Sequence, residues 1–355
     1  MKTIQAEGCP IHFNSEGYEH LNALLAKTNY SKIVAIVDEN THEHCLPLFL
    51  SKVESNTEID IIEIESGELS KTIDTCTSIW EALSELGYDR KSLVLNLGGG
   101  VITDLGGFVA CTFKRGIDYI NIPTSLLAMV DASIGGKTGV DLGHLKNQIG
   151  VISVGQMVIV DTEFLATLPE NHLRSGLAEM LKHGLIKDEN YWTTLTNFSE
   201  IKPEDLDQLI YDSILIKHAI VKADPNENSV RKFLNFGHTL GHAIESYFLD
   251  YDAKPDLLHG EAIAVGMILE SYISSKLLGF PKNDVEHIKQ AIMSIFGKVE
   301  IEQVDYEYII ELLKHDKKNS HGNINFVLLE AIGKPKFDIQ VENDLIVEAF
   351  NYYNS

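Results

Sequence analysis

Ser92-Leu93-Val94-Leu95-Asn96-Leu97 runs directly into Gly98-Gly99-Gly100-Val101-Ile102-Thr103-Asp104-Leu105-Gly106-Gly107. A short apolar run that stops at glycine predicts a buried strand, and the longer apolar stretch behind the glycines predicts a helix. Glycine lets a backbone approach a phosphate closely, and a helix N-terminus adds free N–H groups and the positive end of a dipole. The stretch is neither a G-x-G-x-x-G fingerprint nor a Walker A sequence, because no Gly-Lys-Ser/Thr follows. Taken alone it is either a phosphate-holding turn or a tight strand–helix turn with no ligand.

Working outward, Lys32-Ile33-Val34-Ala35-Ile36-Val37 ends at Asp38, and Ile59-Asp60-Ile61-Ile62-Glu63-Ile64 ends at Ser66-Gly67. A helical stretch, Thr72–Leu86, separates the second run from the strand at Ser92, and a further strand is expected over Tyr119–Ile122. Alternation of this kind predicts an α/β N-terminal domain over residues 1–168, with a doubly wound, largely parallel, Rossmann-like sheet. Ligands of such sheets bind at the carboxyl ends of the strands, here Asp38 and Gly98. From about Thr167 the pattern changes. Leu168-Pro169-Glu170 reads as a helix start. Amphipathic segments follow at Leu173–Leu185, Leu206–Ala223, Phe233–Phe248, Gly260–Leu278 and Val285–Ile295. They predict an all-α C-terminal domain over residues 169–355.

Bulk properties narrow the function classes. With 355 residues, 44% hydrophobic and 23% charged, the chain is long enough for two globular domains. Its formal charge of −23 argues against nucleic acid or an anionic membrane as a partner. Cys9, Cys45, Cys76 and Cys111 form no CxxC pair, so a zinc ribbon or disulfide framework is not expected and a reducing, cytoplasmic setting is. The N-terminal MKTIQAEGCP has no apolar core of a signal peptide, and no run of eighteen apolar residues occurs.

Polar groups then cluster. Pro123-Thr124-Ser125, Asp131, Gly135-Gly136-Lys137-Thr138-Gly139 and Lys146-Asn147 put charge among glycine-rich loops, the usual bearers of function. In the helical half, Asn235-Phe236-Gly237-His238-Thr239-Leu240-Gly241-His242 sets two histidines on one helix face. His259-Gly260-Glu261 and Gly176-Leu177-Ala178-Glu179 open or occupy other helices. Two histidines and a carboxylate are a common catalytic zinc set, although each histidine alone fits a hydrogen-bonded structural role equally well. The pattern is not HExxH. Only four arginines occur, Arg90, Arg115, Arg174 and Arg231, and two of them lie beside these motifs. Cations beside such loops suit a small acidic, phosphorylated substrate.

The order Gly-Gly-Gly-Val-Ile-x-Asp-Leu, Pro-Thr-Ser, Val-Asp-Ala-Ser-Ile-Gly-Gly-Lys-Thr-Gly-Val, Lys-Asn, Gly-Leu-Ala-Glu, Asn-Phe-Gly-His-Thr-Leu-Gly-His-Ala and Leu-His-Gly-Glu-Ala resembles the sugar phosphate cyclase family, and within it the 3-dehydroquinate synthases. The likeness runs from about Asp38 to Lys318. It implies a divalent metal, zinc or cobalt, on Glu179, His238 and His259. It implies NAD held by Asp38, Asn40, Glu68, Lys71, Gly99, Gly100, Asp104, Thr124, Ser125, Lys137, Lys146 and Thr167. Substrate contacts would fall to Asp131, Lys137, Lys146, Asn147, Lys182, Lys217, Arg231, Asn235, His242 and one of Lys317 and Lys318. Arg115 matches an arginine that the family donates across a homodimer interface. Ser125 stands where the family usually has threonine, and Glu43 where a histidine often contacts the dinucleotide. The implied reaction converts 3-deoxy-D-arabino-heptulosonate 7-phosphate to 3-dehydroquinate and phosphate, in the shikimate route to aromatic amino acids. Its order is transient oxidation by NAD, phosphate elimination, re-reduction and aldol closure. Rival readings are a cyclase making an inosose or valiolone, a glycerol-dehydrogenase-type alcohol dehydrogenase, and a non-catalytic module on the same fold.

Overall fold

The computed structural model describes residues 1–6, 8–143, 145–197, 205–251, 254–255, 257–313 and 324–355. Lys317 and Lys318 lie outside the described residues. The chain divides into two compact units, Met1–Pro169 with Ile210–His218, and Glu170–Leu209 with Ala219–Ser355.

The first unit holds β1 (Ile11–Phe13), α1 (Asn14–Lys27), β2 (Ile33–Asp38), α2 (Glu39–His44), α3 (Leu46–Lys52), β3 (Ile59–Ile64), α4 (Ile73–Glu85), β4 (Leu93–Gly98), α5 (Gly100–Thr112), β5 (Asp118–Pro123), β6 (Lys137–Leu142), β7 (Leu145–Ile152) and β8 (Met157–Val160). Six strands form one sheet in the order β1-β8-β5-β4-β2-β3, with every pair parallel. The inner strands β2 and β4 are almost wholly buried, as their unbroken apolar runs require, whereas edge strand β3 alternates. Cys76, Ile79 and Leu83 of α4 and Leu105, Phe108 and Val109 of α5 close over Val34, Ile36 and Val94. Each such aliphatic side chain stabilises the fold by about 1.5–3 kcal/mol when fully buried.

Glycine sets the distance between α5 and the sheet. Asn96 on β4 and Asn121 on β5 pair face to face, with Asn96 Nδ2 donating to Asn121 Oδ1 at 2.8 Å. The Asn96 amide occupies the space that a Cβ on Gly106 would need. At the strand end, a Cβ on Gly98 would meet Ile102 Cβ at 2.5 Å, so that glycine is required by packing. The two-stranded antiparallel ribbon of β6 and β7 pairs Gly139 with Gly150 and carries Lys137, Lys146 and Asn147.

The second unit contains α6 (Glu170–Lys187), α7 (Glu189–Thr196), α8 (Leu206–Ala223, whose residues 210–218 group with the first unit), α9 (His238–Asp250), α10 (His259–Leu277), α11 (Lys282–Phe296), α12 (Asp305–Leu312), β9 (Asn325–Ala331), β10 (Lys334–Gln340) and α13 (Asn343–Asn354). Helix α10 is buried nearly all round and packs against α6, α9, α11 and α13, so it is the core of this unit. Two expectations are corrected. The unit is not all-α, because β9 and β10 form an antiparallel hairpin around Gly333, whose φ is 78°. Its apolar run Phe326–Leu329 is buried beside α10, where Ser274 Oγ accepts the Leu329 N–H at 2.9 Å. The helix read as Phe233–Phe248 is broken at Gly237, which sits in the left-handed region ahead of α9. Among the described residues no helix is long and apolar enough to cross a membrane.

Gly106→Ala should lower unfolding free energy by about 1–3 kcal/mol through overpacking against Asn96. Gly100→Ala should leave it near the parent value, because a Cβ there meets only Ala132 Cβ at 3.6 Å. Urea midpoints of the two variants check this, and equal midpoints would remove the proposed role of Gly106 in seating α5.

Candidate active site

In the second unit three helix segments bring one carboxylate and three imidazoles together. Glu179 lies in the middle of α6, His238 and His259 are the first residues of α9 and α10, and His242 is one turn into α9. Glu179 Oε1 is 3.4 Å from His238 Nε2 and 3.7 Å from His259 Nε2. Lys182, one turn along α6, lies against Oε2. Nitrogens of His238, His242 and His259 all fall within 4.8 Å of one another.

Glu179 has no exposed surface, and beyond the Lys182 ion pair neither of its oxygens makes a hydrogen bond of good geometry. Burial alone would push its carboxyl up. The Lys182 charge and the neighbouring His259 outweigh that and hold it well below the usual carboxylate range. Burial pulls His259 down, but Glu245 and Glu179 lift it to about 9. A buried anion short of hydrogen bonds and facing imidazole nitrogens is the donor set a divalent cation needs, so the residues fit a metal.

Residues that sequence reasoning passed over hold these rings. His238 Nδ1 lies 3.1 Å from the Phe236 carbonyl, which can only accept, so Nδ1 carries a proton and Nε2 is the ring nitrogen turned towards Glu179. His259 Nδ1 pairs with Glu245 Oε2 at 3.2 Å. The first turn of α9 is capped by Glu270 of α10, which accepts the Gly237 N–H at 2.6 Å and the Leu240 N–H at 3.2 Å. One signal for Glu270 was available: an acid in the apolar interior of the helix, eleven residues or three turns from His259, shares that histidine's face.

Arg231 is buried and fixed by its backbone as much as by its side chain. Its N–H donates to Asp224 Oδ2 at 3.1 Å, and Nη1 donates to the Pro225 carbonyl at 2.6 Å. Asp224 also accepts the N–H groups of Asn228 and Ser229, so one carboxylate folds the whole loop. Asn235 Nδ2 donates to Glu227 Oε1 at 2.9 Å. Neither Asp224 nor Glu227 stood out in the sequence, because a loop acid has no periodicity to mark it.

In the first unit a lysine network lies beside α5. Lys71 Nζ donates to Asp104 Oδ2 and to Asn147 Oδ1, each at 2.7 Å, and Lys146 Nζ is 3.2 Å from Glu68 Oε1. Burial would lower Lys71, but Asp104 and Glu68 raise it above the ordinary lysine range. Asp141, also unforeseen, accepts the Asn147 N–H at 2.5 Å and holds that residue with φ at 52°. Lys217 Nζ donates to Asp131 through its carbonyl at 2.5 Å and its carboxylate at 2.6 Å. The Thr124 N–H donates to the Gly98 carbonyl, which seats Thr124 and Ser125 beside the glycine turn. A Cβ on Gly99 would meet only Ser125, with Oγ at 3.4 Å and Cβ at 3.9 Å, so packing alone does not explain that glycine. The turn therefore fits a dinucleotide phosphate at the α5 N-terminus.

Other residues stand apart from that network. Asp38 caps α2 by accepting the Thr41 N–H at 2.8 Å, while Asn40, Glu43 and Thr167 are exposed. Lys137 follows Gly135 and Gly136, both with positive φ, at the start of β6. Arg115 is exposed in a turn where Lys114, Arg115 and Gly116 have φ of 50°, 69° and 107°.

The fold is that of the sugar phosphate cyclases. It matches, with a TM-score of 0.86 and 25% identity over 99% of each chain, a crystal structure of 2-deoxy-scyllo-inosose synthase complexed with carbaglucose-6-phosphate, NAD+ and Co2+. The sequence matches the family models for the N-terminal part of 3-dehydroquinate synthase over residues 61–175 and for the C-terminal part over residues 176–319. It is 41% identical to a 3-dehydroquinate synthase of Parabacteroides distasonis over 94% of each chain. It is 37% identical to that of Caldanaerobacter subterraneus subsp. tengcongensis over 97% of each. The chain belongs to the 3-dehydroquinate synthase family.

Three backbone N–H groups hold the Asp224 carboxyl at about 2 although burial opposes them. A folded value below the ordinary 3.8 means the stabilisation is complete above pH 3.8 and is lost as pH falls through 2. Asp224→Ala should therefore lower the urea midpoint at neutral pH, and its gap from the parent should close as pH falls through that window. A gap independent of pH would show that the ionised carboxylate does not fold this loop.

Proposed function

We propose that the chain is a 3-dehydroquinate synthase, converting 3-deoxy-D-arabino-heptulosonate 7-phosphate to 3-dehydroquinate and phosphate. The observation that carries the reading is the buried Glu179 carboxylate facing His238 and His259 in a chain of this family. Glu179, His238 and His259 would hold a divalent metal, zinc or cobalt. The doubly wound, Rossmann-like use of the parallel sheet would hold NAD at Gly99 and Gly100, with Glu68, Lys71, Asp104, Thr124, Ser125 and Lys146 around it. Asp38, Asn40 and Thr167 would reach the same ligand from the strand ends. Bound there, the metal supplies a Lewis acid for an alkoxide, and NAD supplies a hydride acceptor that returns what it takes.

The remaining residues bind and orient. Lys137, Lys146, Arg231 and one of Lys317 and Lys318 give charge-assisted bonds to the phosphate and carboxylate of the substrate, and Asn147 and Asn235 fix its hydroxyls. Lys182 balances Glu179 so that the acid stays ionised. His242, whose ring lies 5.1 Å from that of His238, would hold a proton at a substrate hydroxyl. Asp131 and Lys217 support one another through their bonds. The protein's contribution is orientation and preorganised charge, since the departing phosphate can act as the base.

The reading includes a cytoplasmic homodimer. All four cysteines are free thiols, which suits a reducing compartment. Leu142, Leu145, Val151, Ile152 and Val154 are exposed on and beside the β6–β7 ribbon, apolar surface that a second copy would cover. Arg115 would reach the partner's substrate phosphate.

Phosphate release from the heptulosonate phosphate should need both NAD and metal, yet leave no net NADH. Accumulating NADH would favour the alcohol dehydrogenase reading. Gly99→Val should weaken NAD binding at least about tenfold by calorimetry while the urea midpoint moves little, as close backbone approach to a phosphate requires. Mixing inactive Arg115→Ala and Lys137→Ala chains should restore activity through heterodimers, and free subunit exchange without recovery would place Arg115 in its own subunit's site.

A further inference from the structure

One set of metal-ligating side chains lies in the first unit with no part in the reading above. His12 is on β1, and Glu16 and His20 are four residues apart on α1, hence on one helix face. Gly17 permits the approach: a Cβ there would meet Ile159 Cγ2 at 2.6 Å, so only glycine lets α1 settle so close to β8 and β1. As a result the His12 and His20 rings stack with centroids 3.9 Å apart, and His20 Nε2 is 3.8 Å from Glu16 Oε1. One ligand atom from each of the three residues lies within 4.8 Å of the others.

We propose that His12, Glu16 and His20 form a second binding site, at the protein surface, for a divalent transition metal of the zinc type.

The tautomer of His12 prepares it. Thr3 Oγ1 donates its only proton to Glu16 Oε1 at 2.9 Å, because an ionised carboxylate can only accept. The same hydroxyl is 2.8 Å from His12 Nδ1 and must accept there, so Nδ1 carries the ring proton and Nε2 has the lone pair. Two imidazoles and one carboxylate leave an open position for water and suit zinc over calcium or magnesium, which take oxygen donors. The side chains of His20 and Glu16 are 50% and 41% exposed, so His20 can turn out of the stack and aim a nitrogen at the ion without disturbing the core. Bound there, the ion ties α1 to β1, a three-residue strand at the sheet edge.

The test counts Zn2+ bound per chain by competition with a chromophoric chelator, in the full-length parent and in Glu16→Gln and His20→Ala. The parent should bind one equivalent more than either variant, or bind that equivalent about tenfold tighter or better, given that even outer-shell partners are worth that much. Because the readout is the difference between parent and variants, it is independent of the Glu179 site, whose failure would show instead in a His259→Ala chain. Metal-free melting temperatures equal to the parent's will establish that both variants fold. Equal zinc stoichiometry and affinity in all three proteins would overturn the proposal and leave the three residues as a stacked surface pair with an ion pair.

Discussion

A carboxylate with no exposed surface, like that of Glu179, must be compensated where it stands, because moving an ion out of water costs several kcal/mol even after the protein relaxes. Lys182 supplies part of that compensation from the same helix, and the His259 imidazole supplies more from α10. Helices α6 and α10 are therefore bound to one another by charge as well as by apolar contact. The arrangement explains why α10, the most buried helix of its unit, nevertheless opens on a histidine and carries Glu270 in its interior. Polar groups there are acceptable because each meets a partner: Glu270 takes two backbone N–H groups that the start of α9 would otherwise leave unbonded.

Glycine does two different jobs in the chain, and geometry separates them. Gly98, Gly106 and Gly17 are fixed by neighbouring side chains that leave no room for a Cβ. Gly99 and Gly100 have that room and remain glycine, which is the pattern expected where backbone must meet a ligand rather than another part of the protein. The distinction separates, in a glycine-rich turn ambiguous as a string of letters, the positions that packing requires from those it leaves open.

Much of the architecture was legible because it rests on periodicity. The runs ending at Asp38 and Gly98 appear as inner strands of one parallel sheet, since buried parallel strands must be continuously apolar, and the alternating run ending at Ile64 appears as its edge strand. Helices α6, α8, α10 and α11 were visible from their apolar spacing. The β9–β10 hairpin was missed because its signal is a single tight turn at Gly333 within a stretch read as helical. The break at Gly237 was missed because apolar spacing continues across it, while the left-handed φ that ends one segment is invisible to spacing. At the site, side chains with reactive chemistry could be picked out, but those that orient them could not. Asp224, Asp141 and Glu245 act through backbone and ring nitrogens that their local sequence does not announce, and Glu270 shows only its place on the His259 face of α10.

The cap on α9 has a consequence for how the molecule would handle its ion. Glu270 and the Phe236 carbonyl fix the helix start and the His238 ring through protein groups alone. If Glu179, His238 and His259 hold the metal as proposed, its loss and replacement would be an exchange at a standing scaffold, and which ion is found there would follow from cellular supply as much as from the polypeptide.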